Sequence, residues 1–279
     1  MTQATTPHGV HLEYDTFGDS ENTPMLLIQG LGAHMLGWHV DFCRELAGHG
    51  FFVIRFDNRD VGLSDKFPGQ PYGLAEMAKD TAGLLEALGI EAAHVVGQSM
   101  GGMIAQQLAT HFPSRVLSLA LIYTTPNIEH LIGAQRLKER SENPPATNRE
   151  EAVEMHVRYQ EPCAGPAYPA DIDWLRTLGG LMYERNYYPD GAERHRQVIT
   201  GVKDMRDDLA RIRVPTTLIH GDSDAVIDMG GSLAIAEVVP QATLVIYPGM
   251  GHQLPRPLWP DIVARIAENT TSEEPGRGS

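Results

Sequence analysis

The residues most able to do chemistry in this chain lie in Gly97-Gln98-Ser99-Met100-Gly101. A short apolar run precedes them and a helix-like segment follows, which is the strand–turn–helix setting that gives G-x-S-x-G a meaning. On so sharp a turn the Ser99 hydroxyl projects above a sheet, and the flanking glycines remove side chains that would strike neighbouring backbone. A serine hydroxyl needs a base to take its proton, and imidazole is the usual base near neutral pH. Among twelve histidines, His252 in Pro248-Gly249-Met250-Gly251-His252 stands directly after the last expected strand, where parallel sheets place their chemistry. His94 and His111 flank the nucleophile strand and helix and read as structural, and His220, inside a strand end, reads as packing. An imidazole base needs a carboxylate to hold its tautomer. Asp222 and Asp224 both follow the run Thr216–His220 closely, and Asp228 lies a little further on.

Acyl transfer at Ser99 also requires N–H donors for the developing oxyanion. Met100 N–H, next to the nucleophile, is one expected donor. Leu31 N–H, in the loop Gln29-Gly30-Leu31-Gly32 after an earlier strand, is the other. Competing uses of these glycines fit less well. No Gly-Lys-Ser/Thr follows to make a phosphate loop. Gly30-Leu31-Gly32 has Met35 where a dinucleotide fingerprint needs its third glycine.

The elements that must position these groups are legible as continuous apolar runs: Met25–Gly30, Phe51–Asn58, Ala93–Ser99, Val116–Thr125, Thr216–Asp222 and Ala242–Gly249. Runs this unbroken suit parallel strands covered on both faces. Helix-like segments alternate with them, such as Leu74–Leu88 closed by Gly89, so the expected fold is α/β with a mostly parallel central sheet flanked by helices. Val10–Gly18 reads as an additional edge strand, antiparallel to its neighbour.

The alternation lapses between about Asn127 and Met205, a proline-interrupted stretch with helix-like pieces at Ile128–Glu139, Glu150–Tyr159, Ile172–Tyr183 and Ala192–Val202. The expected organisation is a core domain in two parts, 1–126 and 206–269, with a helical lid at 127–205 and a disordered polar tail at 270–279.

Apolar residues make up 42% and charged residues 21%, the balance of a chain that packs a core. A net charge of −14 disfavours nucleic acid and anionic membrane as partners. Two distant cysteines, Cys43 and Cys163, form neither a disulfide framework nor a metal-ligand spacing. No H-E-x-x-H occurs, so neither metal nor cofactor is expected. The first residues carry no cationic start followed by an apolar run, and a soluble cytoplasmic protein is the expectation. Oligomeric state is not legible in the sequence.

From roughly Val10 to Ala267 the sequence resembles the α/β-hydrolase superfamily, through MLLIQGLGAHMLGW, FDNRDVGLSD, VVGQSMGG, LIHGDSDAVI and PGMGH. Its core looks like that of a group of small carboxylesterases that includes the anthracycline methyl esterases. The resemblance implies Asp224 as the triad acid, three residues after Gly221, and hence Ser99, Asp224 and His252 in that chain order. It also implies hydrolysis of a small hydrophobic ester through an acyl-enzyme. Relatives with the same triad include perhydrolases of the haloperoxidase kind, lactonases and carbon–carbon bond hydrolases, and a few members of the fold serve as ligand receptors. Two positions depart from the usual pattern. Gln29 stands where most members have histidine, and Asp60 replaces the glycine of Asp-x-Arg-Gly. Asp57 and Arg59 are expected to tie that turn to the core. For the pocket, Gly30, Met35 and Trp38 are expected at the entrance, and Tyr159 and Tyr183 from the lid.

Overall fold

The computed structural model describes residues 2–271. One eight-stranded sheet is formed by β1 (Thr2–Thr5), β2 (His11–Phe17), β3 (Thr23–Ile28), β4 (Phe51–Phe56), β5 (Ala93–Gln98), β6 (Val116–Ile122), β7 (Thr216–Gly221) and β8 (Ala242–Tyr247). Their order across the sheet is β1-β2-β4-β3-β5-β6-β7-β8. The pairings β1–β2 and β2–β4 are antiparallel and every other pairing is parallel. β2 is the strand read at Val10–Gly18, but it lies one place in from the edge. The edge itself is β1, whose Thr-Gln-Ala-Thr buries only Ala4 and so carries no hydrophobic pattern to announce it.

Each central strand divides its side chains between two cores. Leu26 and Ile28 of β3, with Leu119 and Leu121 of β6, face α2 (Leu74–Ala87) and α3 (Met100–His111). Met25, Leu27, Ala120 and Ile122 face α1 (Val40–Gly48) and α10 (Trp259–Thr271). Burial on both faces is why these strands are apolar without alternation.

The chain runs from β3 outward to β4, then crosses back over β3 to β5. The direction of winding reverses there, and a crevice opens between the carboxyl ends of β3 and β5. The loop after β3 carries Gly30 and Leu31, and the residue after β5 is Ser99.

Between β6 and β7 the chain leaves the sheet for α4 (Ala134–Glu142), α5 (Arg149–Gln160), α6 (Ile172–Asn186) and α7 (Pro189–Thr200), then returns through α8 (Arg206–Leu209). The first of these starts later than the apolar pattern suggests. Asn127 accepts from Glu129 N–H at 3.0 Å, and Gly133 N–H is tied to the Val226 carbonyl at 2.9 Å, so 127–133 is turn rather than helix. α7 starts earlier than expected, with Pro189 in the first turn, where a missing N–H costs nothing. The remaining helix, α9 (Gly230–Val238), joins β7 to β8. The expected tail begins inside α10, and its residues beyond 271 lie outside the described range. Among the described residues no helix is long and apolar enough to cross a membrane.

Candidate active site

Ser99 has φ 55° and ψ −124°, a backbone conformation that residues with a side chain rarely adopt. Its neighbours make that turn possible. A methyl group on Gly97 would collide with the Gly101 carbonyl, and one on Gly101 with the Ile28 carbonyl. The strand, the helix and β3 can therefore meet only with glycine at both positions, which is the physical content of the motif.

His252 lies on the loop after β8 and Asp224 on the loop after β7. His252 Nε2 is 2.9 Å from Ser99 Oγ, and His252 Nδ1 is 2.7 Å from Asp224 Oδ2. Burial pushes the Asp224 carboxyl up, but the adjacent His252, the hydrogen bonds from His220 and His252, and the Ile227 N–H together hold it well below the usual carboxylate range. An ionised Asp224 accepts a hydrogen bond from Nδ1–H, which keeps that proton on Nδ1 and leaves the Nε2 lone pair directed at the serine hydroxyl. The other acids have local duties: Asp222 accepts from Gly249 N–H at 2.7 Å, and Asp228 from Gly230 N–H at 2.8 Å at the start of α9. His220 is fully buried behind the acid, with Nδ1 2.7 Å from Ser232 Oγ and Nε2 3.0 Å from the Ile227 carbonyl.

Met100 occupies the first position of α3, so its N–H has no partner within the helix. A Cβ placed on Gly30 would stand 3.2 Å from Ser99 Cβ, which measures how closely the loop bearing Leu31 approaches Ser99. Gln29 braces that loop as its amide oxygen accepts from Gly30 N–H at 3.0 Å, while Asn58 Nδ2 donates to the Gln29 carbonyl at 3.0 Å. The Tyr123 hydroxyl donates to Gln98 Oε1, and its ring packs 4.6 Å from the His252 imidazole.

Two cavities converge here. One of about 420 Å³ contains Ser99 and His252 and is walled by Gly30, Leu31, Tyr159 and Val226 among others. The second, about 290 Å³, lies among Met155, Met182, Tyr183 and Tyr187 of the inserted helices. Leu31, Asn143 and Tyr159 border both. Met35 and Trp38 line neither. Both are fully buried, and the Trp38 ring stacks on Phe42 at 5.7 Å in the core beneath α1. An apolar loop residue can face cavity or core, and here the core claims both.

The segment between β6 and β7 grips this machinery at two places. His252 N–H donates to the Cys163 carbonyl at 2.8 Å, and Ala167 N–H to the Gly249 carbonyl at 3.2 Å. On the other side, Arg194 of α7 makes a two-pronged pair with Asp60 at 2.7 Å, and Arg185 donates to Asp57. Asp57 in turn accepts from Met35 N–H at 2.8 Å and Leu63 N–H at 3.0 Å, while Arg59 forms a two-pronged pair with Asp80. Asp60 has φ 66°, the left-handed conformation that glycine would hold without strain. Its departure from glycine is thus matched by a specific partner, which sequence reading alone did not identify. Among the described residues, no group of three or more His, Cys, Asp or Glu is placed to hold a metal ion.

Residues 23–152 match the family model for the alpha/beta hydrolase fold, and residues 192–256 match one described as serine aminopeptidase, S33. Rhodomycin D methylesterase DauP of Streptomyces sp. (strain C5) is 30% identical, over 96% of this chain and 98% of its own length. A non-heme chloroperoxidase of Streptomyces lividans is 28% identical, over 95% of this chain and 99% of its own. In fold, the chain superposes on a meta-cleavage product hydrolase from Pseudomonas fluorescens IP01 with a TM-score of 0.79, at 21% identity, covering 96% of this chain and 97% of that one. The chain belongs to the α/β-hydrolase superfamily, alongside the small esterases that include the rhodomycin D methylesterases.

Proposed function

We propose that this chain hydrolyses a carboxylic ester of a small hydrophobic molecule through an acyl-enzyme on Ser99. The observation that carries the proposal is the unbroken relay from Ser99 Oγ through His252 to Asp224, at 2.9 and 2.7 Å. Ser99 Oγ attacks the ester carbonyl carbon as its proton passes to His252 Nε2, and Leu31 and Met100 N–H groups hold the oxyanion. Collapse of the tetrahedral adduct expels the alcohol, which takes the proton from His252. Water then adds to the acyl-enzyme with His252 again as base, and the acid leaves with Ser99 restored.

The two adjoining cavities suit a substrate larger than a simple short-chain ester. Together with the similarity to methylesterases, they favour a methyl or other short ester carried on a bulky apolar body. In this reading the helices of 127–205 act as a lid, with Tyr159 and Tyr183 clasping that body.

A fluorescent fluorophosphonate tests the core of the proposal. One-to-one labelling at Ser99, abolished by Ser99→Ala together with ester turnover, supports it. A folded protein that stays unlabelled, or a Ser99→Ala variant with full esterase activity, overturns it. The similarity to a chloroperoxidase gives one further branch, in which hydrogen peroxide replaces water at the deacylation step. Peroxide-dependent halogenation faster than ester hydrolysis would assign the chain to that branch.

A further inference from the structure

His195 is fully buried on α7 and touches a loop 163 residues earlier in the sequence. Gly32 N–H donates to its Nδ1 at 3.1 Å, and its Nε2 lies 2.9 Å from the Arg59 carbonyl. A carbonyl can only accept, so the proton belongs on Nε2 and the lone pair on Nδ1. Burial drives the His195 pKa down to about 4, so the ring is neutral near pH 7 and keeps that lone pair free for Gly32.

The loop it holds is the one bearing Leu31. Gly32 has φ 62°, and a Cβ there would stand 2.8 Å from Ala192 Cβ, so the turn is pressed directly against α7. Gly30 N–H is taken by the Gln29 side chain and the Gly30 carbonyl accepts from Ala33 N–H at 3.3 Å. The N–H groups on either side of Leu31 are therefore both anchored, one by the Gln29 side chain at the foot of the loop and one by His195 of the inserted helix.

We propose that His195 is a positioning residue for acyl transfer, which by accepting from Gly32 N–H fixes the turn that aims Leu31 N–H at the oxyanion. The inference rests on the acyl-enzyme reading above. It makes the insertion a supporting member of the oxyanion hole as well as a cover for the cavity.

The test compares His195→Ala and His195→Asn with the parent protein on an ester, on an alkyl boronic acid and on an unreactive amide analogue. The boronic acid adds to Ser99 as a tetrahedral anion, so it reports the oxyanion hole, while the amide reports ground-state binding. Losing an oxyanion donor outright costs about 100- to 1,000-fold in kcat, and misaiming one is expected to cost His195→Ala roughly 10- to 100-fold. KM and amide affinity should change by less than about threefold, with boronate affinity falling in step with kcat. The Asn side-chain oxygen falls near the position of Nδ1 and should restore most of the loss. If His195→Ala is too unstable to purify, His195→Asn is set against His195→Gln, whose longer amide reaches the position of Nε2 and serves only Arg59. Asn should then be at least about tenfold faster. Equal activity in that pair, or kcat and amide affinity falling together in a folded His195→Ala, overturns the inference. A parent protein that neither hydrolyses esters nor binds the boronate overturns the acyl-enzyme reading and this inference with it. A parent that does both while the His195 variants match it overturns this inference alone.

Discussion

Replacing Asp224 with asparagine keeps the shape of the site and should still silence it, for a reason visible in the contacts of the two carboxylate oxygens. Oδ1 accepts from Val226 N–H at 2.8 Å and from Ile227 N–H at 2.9 Å, whereas Oδ2 accepts from His252 Nδ1 at 2.7 Å. An asparagine must present its oxygen to the two backbone donors, because turning the amide would set its NH2 against both. The NH2 group then faces His252, which can only answer with the Nδ1 lone pair. Its proton moves to Nε2 and points at Ser99 Oγ, so the base can no longer take the serine proton. A wrong-tautomer substitution of this kind in a serine protease lowers kcat by about 10⁴, equivalent to about 5.5 kcal/mol of barrier, and the same loss is expected here. The assay is initial-rate hydrolysis of a chromogenic ester, paired with the rate of fluorophosphonate labelling at Ser99. Circular dichroism and thermal melting establish that the variant is folded. A folded Asp224→Asn protein within about 100-fold of the parent kcat would refute the assignment of both the acid and the tautomer.

Three further outcomes follow from the packing. Burial lowers the pKa values of His34, His94 and His195 to about 4 each, so the unfolded chain binds more protons than the folded one between pH 6.5 and 4. Stability should be complete above that window and fall as pH drops through it, by up to about 4 kcal/mol per pH unit if all three titrate together. Urea midpoints at pH 7, 5.5 and 4.5 check this, and a flat profile contradicts it. Asp60→Gly relieves the left-handed strain but leaves the largely buried Arg194 without its two-pronged partner. A net loss of about 2–3 kcal/mol is expected, read as a lower melting temperature; an unchanged one would mean the relieved strain offsets the lost pair, and a higher one that it outweighs the pair. Gly97→Ala drives a methyl group into the Gly101 carbonyl and should destabilise by about 3 kcal/mol or more, or prevent soluble expression. Full activity from that variant would show that the turn can relax.

The parts of the molecule legible in its sequence were those whose cause is local. A tight strand-to-helix turn needs glycines on either side, and a doubly covered strand needs an unbroken apolar run, so β3 to β8 and the turn at Gly97–Gly101 stand out. His252 is singled out because it follows a strand end by a few residues, whereas Asp222, Asp224 and Asp228 all do so, and only the family resemblance separates Asp224 from the other two. β1 was missed because four mostly exposed residues carry no pattern. Met35 and Trp38, expected at the cavity entrance, are buried in the core, since side-chain type does not say which wall a loop residue faces. The contacts of α7 had no local signature at all. His195 meets Gly32 and Arg194 meets Asp60 across 163 and 134 residues. One clue was available in hindsight: an acid standing where glycine is customary asks for a partner that makes its strain tolerable.

The two seats of the inserted segment also bear on which part of it could be replaced without disturbing the rest of the molecule. Residues 163–168 bond to the loop bearing His252, and 185–195 bond to the loop bearing Leu31 and to the 57–60 turn. α4 and α5, at 134–160, contribute cavity walls such as Glu139, Asn143 and Tyr159 and lie outside both seats. A graft confined to 134–160 changes part of the cavity wall and leaves the bonds at both seats in place. A graft reaching past residue 185 succeeds only if Gly32, Asp57 and Asp60 come with it. In this chain the exchangeable stretch is thus smaller than the insertion, and its boundary falls among the helices rather than at the sheet.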